Sequence, residues 1–457
     1  MIPEEFKKMM RPILGGEYGE FINALENSPA VRALRVNTLK ISPADFEKNC
    51  KWDLEKVPHT ENGYIFREEK VGSDPLHHAG AYYVQDPSAM ATVEAARDYI
   101  KKDALILDLC AAPGGKSSQL AQAAPDGFLI SNEYVFSRSK ILRGNIERMG
   151  IKNCAVVSCD TAELSRQFPS LFDIVLCDAP CSGEGMMRKY NEEVFENWSL
   201  ENIDLCALRQ TEILENAAKC TADGGILVYS TCTFNLSENE MTVDAFLTRH
   251  DEFSIVGAGE KVIGATRDGL DFEGCRHSMK NCRRFYPHIT DGEGQFICIM
   301  KKAGERENAP AVKVKSATLQ PLTKEEFAAA DRFFRDAMGG VPKGNNLGKI
   351  KDTVMLYPEN SVCPDGAIFC GTAAGEVIKD RFQPHHHLFS AFGKSFLRKA
   401  ELTSDSDDAT KYLRGETIDT DAADGWCAVF IDGCPAGGGK AVGGVLKNHY
   451  PKGLRNR

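Results

Sequence analysis

The sequence lacks the features that mark membrane-bound and exported proteins. No apolar run approaches the roughly 18–20 residues that span a bilayer, and the N-terminal MIPEEFKKMM has no apolar signal-peptide core. A net excess of basic residues is also missing, since the formal charge is −10, which argues against a nucleic-acid partner held by bulk electrostatics. We therefore predict a cytoplasmic protein that does not enter the membrane.

The spacing typical of metal-binding cysteines is absent as well. None of the 16 cysteines forms a Cys-x-x-Cys pair, so we expect no zinc site and no other bound metal. Adjacent histidines such as His385-His386-His387 rarely converge on one ion, and we interpret this run as surface or core polarity. In a reducing compartment, most of the dispersed cysteines should be small buried hydrophobic residues.

A chain of 457 residues is too long for a single hydrophobic core. We predict a small α/β unit over 1–75, a larger α/β domain over 76–302, a linker with a small domain over 303–378, and a compact β-rich module over 379–457. In the second part strands alternate with helices, which predicts a doubly wound parallel sheet. Its predicted strands are 104–109, 128–132, 155–158, 173–177, 225–229 and 296–300, and its predicted helices are 117–124, 137–149, 204–219 and 235–249. No exposed apolar stripe is apparent, so we expect a monomer.

The first predicted strand runs into a loop of small residues, Cys110-Ala111-Ala112-Pro113-Gly114-Gly115-Lys116. Glycines let a ligand approach the backbone, and the N–H groups of the following helix are aimed at it. The spacing differs from Gly-x-Gly-x-x-Gly, which disfavours a dehydrogenase. The next two strands end in Glu133 and Asp160. An acidic residue about 20 positions after such a loop binds a ribose diol, so these residues indicate a nucleoside-containing ligand, with Asp160 suited to the amine of an adenine.

The fourth and fifth strands lead into two motifs that each contain a cysteine. The fourth ends in Asp178-Ala179-Pro180-Cys181 and the fifth in Ser230-Thr231-Cys232. Because the carboxyl ends of parallel strands meet at one edge of a sheet, we expect Asp178, Cys181 and Cys232 to face one crevice. Two cysteines beside a carboxylate favour nucleophilic catalysis. Neither motif contains a histidine, so a papain-like hydrolase is poorly supported. A thiolate that adds to an electron-poor ring needs an acid partner on the ring nitrogen, and Asp178 is suited to that role.

In this order and spacing, CAAPGGK, DAPCSGEG and YSTCTF resemble the motifs of the RNA cytosine-5 methyltransferases of the Nol/Nop/Sun group. The resemblance is strong over about 76–302, and LRVNTLK, GEGQF and VLKNHYPKGLR extend it towards the bacterial RsmF subgroup, which modifies 16S ribosomal RNA. It implies a Rossmann-like class I methyltransferase core that uses S-adenosyl-L-methionine. It also implies a small N-terminal α/β RNA-binding domain and a C-terminal RNA-binding module that resembles a PUA domain.

The resemblance assigns a cofactor role to each of the predicted strand ends. Residues 110–116 would lie along the methionine and ribose of S-adenosyl-L-methionine, and Asp178 would lie near its sulfonium. Glu133 would bind the ribose hydroxyls and Asp160 the adenine.

The resemblance also implies catalytic roles. Cys232 would add to C6 of the cytosine, Asp178 would interact with its N3, and Cys181 would assist release of the methylated product. DNA cytosine methyltransferases use the cysteine of their Pro-Cys motif as the nucleophile instead. Nothing in the composition or spacing here excludes that arrangement.

The resemblance makes 16S ribosomal RNA, within the 30S subunit, the expected substrate. A transfer-RNA cytosine-5 methyltransferase is the alternative within the class, and a non-catalytic RNA-binding factor for ribosome assembly is the alternative outside it. The intact CAAPGGK loop, Asp178, Cys181 and Cys232 disfavour the assembly factor. Basic residues beside the crevice and near the end of the chain are candidates for RNA contacts: Arg188, Lys189, Arg283, Arg284, His288 and the stretch from Lys440.

Overall fold

The computed structural model describes residues 2–68, 71–189, 196, 198–306 and 317–456. A ten-stranded sheet forms its centre, and three smaller sheets come from the two ends of the chain. Most of the predicted linker falls on 307–316, which lies outside the described residues. No described helix combines the length and the apolar character needed to cross a membrane.

The N-terminal part is a small α/β unit around a four-stranded antiparallel sheet of order β2-β3-β1-β4. Its strands are β1 Ala33–Val36, β2 Glu55–Lys56, β3 Gly63–Ile65 and β4 Tyr82–Val84. Its helices are α1 Glu4–Leu14, α2 Tyr18–Asn27, α3 Pro43–Asn49 and α4 Pro75–His78. The pairing of β4 with β1 carries this sheet past position 75. The four predicted domain limits stay a prediction.

Five parallel strands of order β7-β6-β5-β8-β9 form the middle of the large sheet. They are β5 Leu105–Asp108, β6 Phe128–Asn132, β7 Cys154–Val157, β8 Phe172–Asp178 and β9 Thr221–Thr231. The helices of this part are α5 Pro87–Ala95, α6 Gly115–Ala123, α7 Phe136–Met149, α8 Thr161–Gln167, α9 Leu200–Cys220, α10 Glu240–Arg249 and α11 Glu260–Gly264. Strand order reverses between β5 and β8, which is the Rossmann-like arrangement that the strand–helix alternation predicts.

Antiparallel strands extend the large sheet at both edges. On the β9 side they are β10 Phe253–Val256, β11 Arg267–Asp268, β12 Arg283–Phe285 and β13 Gln295–Lys302. On the other side β16, Ala367–Cys370, comes from the C-terminal part and pairs with β7. This pairing covers a strand edge that would otherwise expose unpaired backbone groups.

The C-terminal part is rich in β-structure, as expected. A helix, α12 Lys324–Met338, accompanies a four-stranded sheet of β14 Asn345–Ile350, β15 Thr353–Pro358, β17 Thr372–Ile378 and β18 Arg381–Pro384. A five-stranded sheet follows, with β19 Lys399–Leu402, β20 Ile418–Asp419, β21 Gly425–Ile431, β22 Cys434–Val442 and β23 Val445–Asn448, and with helices α13 His386–Phe392 and α14 Asp407–Arg414. His387 is buried, and its Nε2 lies 3.0 Å from the Ile151 carbonyl oxygen, so this histidine provides core polarity.

One buried lysine joins all three parts of the molecule. The Lys40 ammonium donates hydrogen bonds to the backbone carbonyls of Ala79 at 2.6 Å, Arg148 at 3.1 Å and Pro435 at 2.9 Å. These acceptors belong to the N-terminal unit, the helix α7 and the strand β22, respectively. An ammonium has three N–H donors, so Lys40 satisfies three carbonyls with its full complement.

Replacing Lys40 with Met should lower the free energy of unfolding by about 2–4 kcal/mol, because buried carbonyls are left without their donor. Lys48→Met is the matched control, since Lys48 lies exposed on α3. Urea unfolding followed by circular dichroism measures both variants. Equal unfolding midpoints for the two would show that the Lys40 contacts do not hold the three parts together.

Candidate active site at the carboxyl edge of the sheet

Two loops leave the neighbouring strands β8 and β9 side by side. Asp178 lies opposite Ser230 in the parallel register, and the Ala179 N–H donates to the Ser230 carbonyl at 2.9 Å. Just beyond these positions the Sγ atoms of Cys181 and Cys232 lie 3.2 Å apart. Both cysteines are free and partly exposed. The structure thus brings together the two thiols and the carboxylate that the sequence places at strand ends.

The thiol of Cys181 is affected by its neighbour. The hydrogen bond to Cys232, together with the loss of water around the sulfur, raises the pKa of Cys181 well above its ordinary value. The arrangement favours a protonated thiol at Cys181.

Asp178 is held by donors from three different segments. Its Oδ2 accepts from Lys116 Nζ at 2.8 Å, and its Oδ1 accepts from Ser230 Oγ at 2.7 Å and from Gln295 Nε2 at 3.3 Å. Burial acts to lower the pKa of Lys116, but the Asp178 charge and hydrogen bond outweigh it, so the pKa is raised and the side chain stays cationic. The Lys116 ammonium also interacts electrostatically with Cys232. A positive charge near a thiol favours its thiolate form.

The loop of residues 110–116 turns sharply from β5 into α6. Gly114 has a φ of 111°, which side-chain-bearing residues rarely adopt, and a Cβ on Gly115 would lie 3.2 Å from Tyr83 Cε1. The Ala111 N–H donates to the Asn132 carbonyl at 2.8 Å and ties the loop to the end of β6. The backbone path therefore favours glycine at position 114, and a side chain on residue 115 would crowd Tyr83.

Asp108 lies at the base of this loop, and sequence reasoning missed it. The side chain is fully buried, and its Oδ2 accepts from the Ser117 hydroxyl at 2.6 Å. Its Oδ1 makes no hydrogen bond of standard geometry within the described part of the chain. Burial raises the pKa of Asp108 to about 7. A buried carboxylate oxygen that lacks a donor suits a ligand with a cationic amino group, and the signal in the sequence was the acidic residue at the end of the first strand.

Glu133 and Asp160 lie at the ends of β6 and β7, at the same edge of the sheet as the loop. Glu133 is 4% exposed, and its Oε1 accepts from the Val135 N–H at 2.9 Å. Arg138 NH1 lies 3.6 Å from the Glu133 Oε2. Asp160 caps α8, with its Oδ1 accepting from the Ala162 N–H at 2.7 Å. A helix cap by itself explains an aspartate at this position.

Two buried glutamates near the thiols were also missed by sequence reasoning. Glu184 follows Cys181 and Glu238 follows Cys232, and both are fully buried. The helix predicted from Asn235 begins instead at Glu240, because Glu238 binds the opposite loop through Ser182 rather than starting a helix. The only signal in the sequence was a glutamate set between two glycines, as in Gly183-Glu184-Gly185.

Comparison with known proteins gives this edge of the sheet its context. The family model described as 16S rRNA methyltransferase RsmB/F matches residues 99–301. Models of the N-terminal domain of 16S rRNA methyltransferase RsmF and of the methyltransferase RsmF PUA domain match 2–87 and 399–456. Proteins named ribosomal RNA small subunit methyltransferase F from Serratia proteamaculans and Klebsiella pneumoniae are 36% and 34% identical over 99% of this chain and 96% of their own. The chain belongs to the ribosomal RNA small subunit methyltransferase F family.

A solved structure supports the same fold for this methyltransferase. The methyltransferase homolog protein from Pyrococcus horikoshii is 28% identical, with a TM-score of 0.57, over 66% of this chain and 95% of that one. The expected family, the Rossmann-like core and the C-terminal PUA module are therefore confirmed. Of the residues that the structure describes, no three histidine, cysteine or acidic side chains are grouped to hold a metal ion.

Several basic residues that we expected to contact RNA are instead paired inside the methyltransferase. Arg284 is 2% exposed and binds the Glu240 carboxylate through two nitrogen atoms. Arg283 is also buried. Arg188 donates to Glu293 at 2.8 Å, with both side chains buried. The prediction of RNA contacts is wrong for these three arginines, because their charges are neutralised within the core.

The other candidates for RNA contacts differ in exposure. Lys189 is bound to Asp86 at 2.7 Å and remains partly exposed, whereas the His288 side chain is buried. In the C-terminal stretch Lys440 and Lys447 are exposed. That stretch stays a predicted RNA contact.

Because their sulfurs are close and partly exposed, Cys181 and Cys232 should be the first cysteines that diamide joins in a disulfide. Cys282 and Cys298 serve as an internal control, since they also interact through their thiols but are fully buried. Alkylation followed by peptide mass spectrometry measures which pair is oxidised. Recovery of Cys181 and Cys232 as alkylated thiols under conditions that oxidise the buried pair would contradict the geometry.

Proposed function

We propose that this protein transfers the methyl group of S-adenosyl-L-methionine to C5 of a cytosine in 16S ribosomal RNA through a covalent cysteine adduct. The observation that carries the proposal is the pair of thiols 3.2 Å apart beside Asp178, at the strand ends that face the glycine loop. The names of the Serratia and Klebsiella relatives support a ribosomal RNA substrate. The exposed C-terminal lysines and the match to an RsmF PUA domain support RNA binding.

The residues at the sheet edge fit S-adenosyl-L-methionine. When bound, this compound supplies an electrophilic methyl group on a sulfonium. The loop of residues 110–116 would lie along its methionine and ribose, and the free Oδ1 of Asp108 would accept from the methionine ammonium. Glu133 would bind the ribose hydroxyls and Asp160 the adenine. These acidic residues each follow a different parallel strand, so they face the same crevice.

Cys232 is the better candidate for the nucleophile. Cytosine C5 is a poor nucleophile until a thiolate adds at C6, which forms the S–C6 bond and moves an electron pair towards C5. The raised pKa of Cys181 favours its protonated thiol, and the cationic Lys116 interacts electrostatically with Cys232. The target base must leave any stack to reach the thiols.

The remaining groups fit the later steps. Asp178, oriented by Ser230 and Gln295, would accept a hydrogen bond from N3–H of the ring once N3 takes a proton from water as charge develops there. Once C5 carries the methyl group, its proton passes to water and the C5–H electron pair forms the C5–C6 double bond. The S–C6 bond breaks at the same time, which returns an electron pair to the Cys232 sulfur. Cys181 lies next to that sulfur and would assist this release.

The proposal is tested by methyl transfer from labelled S-adenosyl-L-methionine to 30S subunits, naked 16S RNA and bulk transfer RNA. We expect label in 16S RNA at discrete cytosines, identified as 5-methylcytosine by mapping. Label in transfer RNA alone would support the proposed methyl transfer but reject 16S ribosomal RNA as the substrate. No label in any of the three, with the cofactor still bound, would favour an assembly factor.

Replacing Cys232 with Ala should reduce turnover by at least about a thousandfold, since the nucleophile is removed. Binding of S-adenosyl-L-methionine, measured by calorimetry, should be unchanged. Cys275→Ala is the control, because Cys275 is also partly exposed but lies outside the site. A normal rate in Cys232→Ala would remove this residue as the nucleophile.

Replacing Cys181 with Ala should trap a covalent RNA–protein adduct through Cys232, because addition proceeds while release is impaired. The adduct appears as a gel shift that resists denaturation. An adduct in Cys232→Ala and none in Cys181→Ala would reverse the two roles, as in the DNA cytosine methyltransferases.

A further inference from the structure

Two buried glutamates link the loops that carry the thiols. We call residues 179–187 the Cys181 loop and residues 232–239 the Cys232 loop. Glu184 belongs to the Cys181 loop and binds the Cys232 loop, whereas Glu238 belongs to the Cys232 loop and binds the Cys181 loop. The two carboxylates therefore cross between the loops in opposite directions.

Glu184 holds the residues that directly follow Cys232. Its Oε2 accepts from the backbone N–H groups of Phe234 at 2.7 Å and Asn235 at 2.9 Å and from the Thr233 hydroxyl. Its Oε1 accepts from Trp198 Nε1 at 3.0 Å. Next to Glu184, the Gly185 N–H donates to the Cys232 carbonyl at 2.8 Å. The backbone on the carboxyl side of Cys232 is thus fixed from the opposite loop.

Glu238 holds the residue that directly follows Cys181. Its Oε2 accepts from the Ser182 N–H at 3.0 Å and from Gln210 Nε2 at 2.8 Å. Its Oε1 accepts from Asn235 Nδ2 at 2.7 Å and from the Ser182 hydroxyl. Gln210 also donates to the Pro180 carbonyl at 3.0 Å, so the chain is bound on both sides of Cys181.

The chemistry of these contacts points to positioning rather than to general packing. The donors to both carboxylates are neutral N–H and O–H groups, and a buried carboxylate is tolerated in such surroundings only when its oxygens are well satisfied. Burial raises the pKa of Glu238, and the hydrogen bonds from Ser182 and Asn235 oppose that rise. The Cys181 loop packs Met187 in an apolar cluster, but the segment around Cys181 is Ala-Pro-Cys-Ser-Gly, with little apolar surface, so polar contacts fix it there.

We propose that Glu184 and Glu238 are positioning residues that hold the two thiols in register, Glu184 for Cys232 and Glu238 for Cys181. This inference rests on the proposed function for its catalytic consequence. Because Cys232 acts in addition and Cys181 in release, the two glutamates control different steps. Loss of Glu184 slows formation of the RNA adduct, and loss of Glu238 slows its breakdown.

Glutamine is the suitable replacement, since it keeps the size of the side chain and removes one acceptor. In Glu184→Gln the amide nitrogen faces either the Trp198 indole N–H or the backbone N–H groups of the Cys232 loop. In Glu238→Gln it faces the Ser182 and Gln210 donors or the Asn235 amide. Asp74→Asn is the matched control, because Asp74 also accepts from a backbone N–H, that of His77, but lies away from the thiols.

The first measurement needs no RNA. The rate of Cys181–Cys232 disulfide formation with diamide should fall about tenfold in Glu184→Gln and in Glu238→Gln. A small displacement of either sulfur moves the two atoms out of the geometry in which they react. The rate in Asp74→Asn should equal that of the unmodified protein. Thermal unfolding confirms that each variant is folded. Unchanged rates in both glutamine variants would overturn the proposal.

The second measurement separates the two steps. In the Cys181→Ala background, adding Glu184→Gln should slow adduct formation about tenfold, whereas adding Glu238→Gln should slow it far less. With Cys181 present, Glu238→Gln alone should accumulate adduct during turnover. Equal losses in both variants, in proportion to lost thermal stability, would show a merely structural role. Absence of an adduct in Cys181→Ala itself would reject the proposed function, and the diamide rates would still decide the positioning.

Discussion

The parallel pairing of β8 with β9 is the constraint on which the site depends. It sets Asp178 opposite Ser230, so two loops start at the same height on the sheet. Cys181 follows three residues after Asp178 and Cys232 two residues after Ser230, and this offset brings their sulfurs to 3.2 Å. A slip of one residue in one strand would turn its side chains to the other face of the sheet and would shift one thiol relative to the other. The core residues Val175, Leu176 and Leu227, none more than 1% exposed, oppose such a slip because they are covered on both faces.

Beyond the strand ends, polar contacts take over from apolar packing. Met187 and Phe234 pack in one apolar cluster at the far ends of the loops, whereas the segments next to the thiols are held by hydrogen bonds to buried carboxylates. Glu184 and Glu238 cross between the loops, and the buried Arg284–Glu240 pair steadies the same region through the Phe234 carbonyl. Such a network is costly unless every member is satisfied, but when satisfied it specifies one arrangement. Such uniqueness keeps the sulfurs of Cys181 and Cys232 3.2 Å apart.

The five parallel strands of the large sheet could be predicted to within a few residues, because apolar runs and the turn formers that end them are local signals. The positions of Asp178, Cys181 and Cys232 followed from the same signals. Which side chains form ion pairs and which distant strands pair with each other could not be predicted in this way. From the sequence alone, Arg283 and Arg284 are expected to be exposed positive charges. In the fold they pair with Asp268 and Glu240, respectively. Likewise, β16 joins the edge of the large sheet from more than 200 positions beyond its partner β7, and no local pattern reports such a pairing.

Two basic side chains of the N-terminal unit contact the parts of the molecule around the candidate active site. Arg35 is fully buried on β1, and it donates to the Gly115 carbonyl at 3.1 Å and to the Ser118 hydroxyl at 2.6 Å, in the first turn of α6. Lys40 lies on the same segment and reaches the C-terminal module through Pro435. Neither cation needs a carboxylate, because carbonyls and hydroxyls supply the full set of acceptors. One short stretch of sequence therefore contacts both the glycine loop and the C-terminal module and holds them at a set distance from each other.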